Sequence, residues 1–156
     1  MNRALAWTLV GIQFALLIGL ALAAVLVRDR LWQLSTLTVA VSAVLVLAGC
    51  VIAVLGVRGL GSSLTASPVP KEDNTLTTSG AYQLVRHPIY TGLLIAALGL
   101  VGLGGSVLSI ALWAAFLVLL AVKARWEERM LLASHPDYRG YGETTGRFVP
   151  RVGRLR

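Results

Sequence analysis

Charge is scarce in this chain: Lys, Arg, Asp and Glu make up 13% of its 156 residues, and only seven residues are acidic. A soluble domain of this length carries about a quarter charged residues. Half that share leaves too few polar side chains to coat a water-facing surface, which excludes an ordinary soluble domain. Cysteine is nearly absent: Cys50 stands alone, so neither an intrachain disulfide nor a multi-cysteine zinc site can form. Within its apolar run (LVLAGCVIAVLG) it reads as a small buried hydrophobe. Histidine occurs only at 87 and 135, with no third ligand at metal-like spacing, so no metal site is expected. Apolar residues are abundant. They form 56% of the chain, mean hydropathy is +0.77, and disorder is thereby excluded. The length allows one domain. The composition describes a small integral membrane protein.

The apolar residues fall into four runs. Ala4 to Val27 is interrupted only by Thr8 and Gln13, and is long enough to cross a ~30 Å hydrocarbon core as a helix. Ala21-Leu22-Ala23 imitates a secretory cleavage site, but the run exceeds the usual signal core and is kept as a span. Leu34 to Val57 is the second run, so residues 1–57 are expected to hold two spanning helices. Residues 58–88 form a long polar loop rich in Gly, Ser, Thr and Pro, with Lys71, Glu72 and Asp73 clustered within it. Ordered loops of that length usually carry function. Pro88 suits the first turn of a helix, where its missing N–H costs nothing. It opens a third run to Leu103. After Gly102, Gly104 and Gly105, Val107 to Val122 makes the fourth. Residues 88–122 are thus expected as a short helical hairpin, and 123–156 as a cytoplasmic helix and tail.

The net charge is +7. Its distribution argues against a nucleic-acid partner, because basic residues avoid the apolar runs and eight of the 14 follow Val122. Such residues meet anionic lipid headgroups and set orientation. With four crossings, twelve basic residues share the side of both termini and the long loop, against Arg28 and Arg30 opposite. Loop, tail and both termini are expected at the cytoplasmic face of a bacterial-type inner membrane. Gly49 and Gly56 offer surfaces for close helix packing, and the oligomeric state stays open.

Polar residues able to do chemistry concentrate at 74–92 and 123–141, on either side of the hairpin. At the first place, Arg86 and His87 immediately precede the helix opened by Pro88. The unpaired N–H groups and dipole of that helix favour an anion. Tyr82 and Tyr90 supply amphipathic rings. Lipid contact by Arg86 and interfacial anchoring by the tyrosines are equally compatible with this pattern. At the second place, Lys123, Glu127 and Leu131 share one helix face, with Glu128 one position around and Arg125 three residues before it. A solvated helix with weak ion pairs is the plain alternative.

Gly80-x-Tyr82-x3-Arg86-His87-Pro88-x-Tyr90-x-Gly92, then a hairpin, then Glu127-Glu128-x-x-Leu131 and Tyr138-x-x-Tyr141, together resemble the isoprenylcysteine carboxyl methyltransferase family and its phospholipid N-methyltransferase relatives. The resemblance covers residues 67–150. It implies an all-α integral membrane fold, S-adenosyl-L-methionine as methyl donor at the cytoplasmic end of the hairpin, and a lipophilic acceptor. By position it implies cofactor contacts from Asn74, Thr75, Leu76, Thr77 and Tyr82, closure by His87, Pro88, Ile89 and Tyr90, and completion by Glu127. Arg86, His87 and Glu127 become the catalytic candidates. Arg86 and the His87 helix start would meet the cofactor carboxylate. Lys123 occupies the place of a substrate-facing basic residue, usually Arg in relatives with a prenylcysteine substrate; the replacement keeps the charge and loses the bidentate fork. Two other readings stand beside this one: a related-fold reductase using NADPH, and a non-enzymatic scaffold or transporter. The transporter is disfavoured because both long spans lack ionisable residues. The tail RFVPRVGRLR, residues 147–156, either covers the site or rests on anionic headgroups, and lipid contact is expected of its last residues.

Overall fold

The structure, a computed structural model, describes residues 3–61 and 76–155. It is all-helical. The helices are α1 (Arg3–Leu26), α2 (Thr36–Leu60), α3 (Pro88–Gly104), α4 (Val107–Ser134) and α5 (Tyr138–Thr144), with a 3-10 turn at Gly80–Gln83 before α3. α1, α2 and α4 are long and apolar enough to cross a membrane, whereas α3 is a shorter apolar helix of 17 residues, about 26 Å at 1.5 Å per residue. No break separates the fourth apolar run from the polar helix after it. Both belong to the 28 residues of α4, which reach about 42 Å.

Local chemistry accounts for the helix ends. Ser35 and Ser106 cap α2 and α4 by accepting the N–H of Thr38 and Ser109. α3 stops at Gly105, which takes the left-handed conformation (φ 61°) and returns its N–H to the Val101 carbonyl. At the same end Leu31 donates its N–H to Gly105 (2.6 Å) and the Trp32 indole donates to the Gly102 carbonyl (3.0 Å). These bonds tie the α1–α2 connection to the α3–α4 turn.

α3 is central and packs against α1, α2 and α4. Its contact with α2 is made of small residues. A side chain at Gly49 would collide with the Ala96 backbone, and one at Gly92 would lie 2.5 Å from the Gly49 carbonyl oxygen. Gly56 meets Ile89 and Pro88, and Gly99 meets Ser42 and Val46. Close backbone approach of this kind replaces the hydrophobic drive that a lipid environment cannot supply. Gly49 and Gly56, candidates for helix packing in the sequence, therefore serve the α2–α3 contact within one chain. On the other side of α3, Leu94, Ala97 and Val101 pack with Leu20 of α1 and with Phe116 and Leu120 of α4.

Candidate functional site

The site forms where α3 begins and α4 passes out of its apolar stretch. His87 is the residue before Pro88, which disfavours helical backbone there. Its φ and ψ of −127° and 64° accordingly turn the chain into α3. The two residues leading into the helix pair with the C-terminal tail: Arg86 N–H donates to the Gly146 carbonyl (2.8 Å) and His87 N–H to that of Arg147 (3.2 Å). Thr91 Oγ1 then donates to the Phe148 carbonyl at 2.8 Å. Residues 145–153 are thereby folded over the start of α3. Of the two roles open to the tail, Arg147 and Phe148 take the covering one, while Arg151 and Arg154, nearer its end, stay exposed.

Glu128 is the electrostatic hub. Its carboxylate accepts from Arg86 Nε (3.0 Å) and Nη2 (2.8 Å), and from Arg147 through Nε (3.0 and 3.1 Å) and Nη2 (2.6 Å). His87 Nε2 lies 3.2 Å from the same carboxylate. Arg86 places its other donors on the carbonyls of Gly142 (2.9 Å), Thr145 and Gly153 (2.8 Å). All five of its N–H groups are engaged by protein. The charge that the sequence suggests for an incoming anion is committed to joining α4 and the tail.

Glu127, its neighbour, faces a different set. Its Oε1 accepts the Tyr90 hydroxyl proton and its Oε2 lies 3.4 Å from His87 Nδ1. The imidazole is stacked on the Tyr90 ring, with centroids 5.4 Å apart and planes 4° apart. Phe148 stands edge-on to both rings, at 6.0 and 6.5 Å. Burial works against protonation of His87, but its hydrogen bonds to Glu127 and Glu128 outweigh that effect, and its pKa is raised above the ordinary 6.5. One turn along α4, Lys123 lies 5.2 Å from the Tyr90 ring centroid and donates to Gln13 Oε1 on α1.

Of the candidate residues, His87, Tyr90, Glu127 and Lys123 are brought together. Tyr82, Pro88 and Ile89 turn toward α2: the Tyr82 hydroxyl donates to the Gly56 carbonyl (3.4 Å), and Pro88 and Ile89 abut Gly56. Leu76 and Thr77 are half-buried in irregular chain. Asn74 and Thr75 lie outside the described residues. Sequence reasoning missed Glu128 as the hub, and with it Arg147, Phe148 and Gln13. Tyr138, named in the sequence only within the Tyr138-x-x-Tyr141 motif, is 1% exposed, and its hydroxyl has no hydrogen-bond partner among the described residues. The lone amide inside the apolar α1 was the available signal for Gln13. Glu128 was visible only as one of two adjacent carboxylates. No group of three or more His, Cys, Asp or Glu suited to a metal ion occurs among the described residues.

The model of the phospholipid methyltransferase family matches residues 37–137, more than half of the chain. Over 90 residues, 55% of this chain, it is 38% identical to a cobalt-zinc-cadmium resistance protein of Cupriavidus metallidurans, of which the match covers 40%. It is 32% identical over 90 residues to a nickel-cobalt-cadmium resistance protein of Alcaligenes xylosoxydans xylosoxydans, of which the match covers 41%. The chain thus spans about two fifths of the length of these curated relatives.

Proposed function

This chain belongs to the phospholipid methyltransferase family, and on that premise we propose that it is an integral membrane methyltransferase using S-adenosyl-L-methionine and a lipophilic acceptor. The observation that carries the reading is the cluster of His87, Tyr90 and Glu127 beneath Phe148, at the end of two apolar helices.

The side chains present fit such a cofactor. Glu127 keeps 19% of its side chain exposed, and a carboxylate suits the cofactor's amino group or ribose diol. The rings of Tyr90 and Phe148 suit a sulfonium, which aromatic faces attract. The start of α3 favours the cofactor carboxylate. Asn74, Thr75, Leu76 and Thr77 are proposed to complete this wall from the long loop. When bound, the cofactor supplies an electrophilic methyl group for in-line displacement by the acceptor.

The chain's own part is alignment and exclusion of water. Glu128, Arg86 and Arg147 hold α4, the start of α3 and the tail in one arrangement. Phe148 covers the His87–Tyr90 stack and keeps water from it. His87 hydrogen-bonds to both carboxylates, so Glu127 keeps its orientation when a ligand takes one of its lone pairs. Lys123 is proposed to face the acceptor. In the proposed topology α1 to α4 all cross an inner membrane, and the site opens laterally at its cytoplasmic face. A lipid carboxylate, a phospholipid amine or a thiol could then enter from the bilayer.

Calorimetry on the detergent-purified protein tests the cofactor. S-adenosylmethionine and S-adenosylhomocysteine should bind at micromolar concentrations, and Glu127→Ala and His87→Ala should weaken both. Folded protein that binds neither ligand, or that binds NADPH instead, would overturn the reading.

A further inference from the structure

Lys123 is 2% exposed, one turn deeper along α4 than Glu127. An ammonium so deeply placed is costly unless it is compensated. Arg86 and Arg147, the other basic side chains of the site, pair with a carboxylate. Among the described residues Lys123 does not: its partners there are the neutral amide of Gln13 and the ring face of Tyr90. Glu127, the nearest carboxylate on its helix, is already taken up by the Tyr90 hydroxyl and His87.

Among the described residues around this place stand four basic side chains, Arg86, His87, Lys123 and Arg147, and two carboxylates, Glu127 and Glu128. A cofactor with one carboxylate, one ammonium and one sulfonium carries a net positive charge, so its arrival deepens the imbalance. An acidic group on the other ligand would remove it.

We propose that Gln13 is a positioning residue that sets acceptor selectivity. Acting through Lys123, it holds an ammonium without a counter-ion beside Tyr90, so that the site takes lipophilic acceptors with an acidic head group, a carboxylate or a phosphate. The proposal rests on the methyltransferase reading in calling that ligand the acceptor. Gln13 oxygen orients the ammonium without neutralising it, which a carboxylate at the same position would do. Gln13 also lies outside the segment 37–137 matched by the family. Selectivity would therefore be set by a part of the chain that the match does not cover.

Gln13→Glu is the decisive variant, because it preserves shape and changes only the charge balance. The probes are dodecanoate, dodecyl phosphate and dodecylamine, titrated against protein in a non-ionic detergent with thermal stabilisation as the readout. The native protein should be stabilised by the two acids and not by the amine, and the stronger acid identifies the head group. Gln13→Glu should lose about tenfold in affinity for the acids, with S-adenosylhomocysteine binding unchanged. Acid binding left intact in a folded Gln13→Glu protein would show that the Lys123 ammonium does not receive the head group. That result, or a native preference for the amine, overturns the proposal. Should Gln13→Glu not fold, Gln13→Asn withdraws the oxygen by one methylene. It should keep the preference for acids with about threefold weaker binding, and unchanged binding is again fatal. If acid selectivity holds while S-adenosylhomocysteine fails to bind native protein, the methyltransferase reading falls and the role of Gln13 in selecting acids stands.

Discussion

Arg86 and Glu128 are 42 positions apart, yet two guanidinium N–H groups converge on one carboxylate oxygen, at 3.0 Å from Nε and 2.8 Å from Nη2. Both side chains are buried. The pair fixes where α4 stands relative to the start of α3, and through the remaining Arg86 donors it fixes the tail as well. Four consequences can be measured.

Glu128→Ala leaves Arg86 buried without a counter-ion, a change that typically costs about 3–5 kcal/mol. Thermal unfolding in detergent should show a large drop for this variant. Arg86→Lys should also be strongly destabilised, because one ammonium cannot reproduce a fork bonded to Glu128, Gly142, Thr145 and Gly153. Native-like melting of either variant would refute the hub.

Glu127→Ala should separate binding from stability. Its side chain is partly exposed, and its loss removes neither Arg86 nor Arg147 contacts. Melting should fall less than in Glu128→Ala, whereas S-adenosylhomocysteine affinity should fall at least about tenfold. Equal losses in both measurements would assign Glu127 to structure alone.

Gly92→Leu should prevent normal assembly of α2 and α3, since even its first carbon would lie 2.5 Å from the Ala53 nitrogen and from the Gly49 carbonyl oxygen. Overpacking typically costs about 1–3 kcal/mol, and here backbone rather than a movable side chain stands in the way. Leu at Gly11, which has nothing within 4 Å, is the control that should melt like the native protein.

The pH response follows from His87, whose pKa is raised above 6.5 because its bonds to Glu127 and Glu128 outweigh burial. The protonated ring binds its proton more tightly in the folded state than in the unfolded one. Its contribution is therefore fully present below pH 6.5 and is lost as pH rises through the raised folded value. Melting temperature should fall over that interval in the native protein, and His87→Asn should flatten the fall. The same slope in both proteins would assign it to other groups.

The helices were legible in the sequence because length and apolar composition dictate them. The start of α3 was legible because Pro88 marks it. His87, Tyr90 and Glu127 could be picked out through the family resemblance, because the residues alone left lipid contact and a solvated helix open. Which of two adjacent carboxylates would be the hub was not legible: Glu127 and Glu128 differ by about 100° around α4, and tertiary packing alone decides what each one meets. The roles of Arg147 and Phe148 were hidden for another reason. The tail has neither helical nor strand periodicity, and its bonds to Arg86, His87 and Thr91 involve backbone groups that every residue carries. Arg86 misled in the opposite direction, because an arginine beside a helix start looks available until its acceptors are known.

The continuity of α4 from Val107 to Ser134 carries a mechanical consequence. A helix without a joint transmits displacement along its axis, so Lys123, Glu127 and Glu128 move up or down with the apolar section below them. The thickness of the surrounding bilayer then acts as a control on how far the reactive end stands above the acyl chains. A thinner membrane should lift it toward water, and a thicker one should draw it down among the lipids.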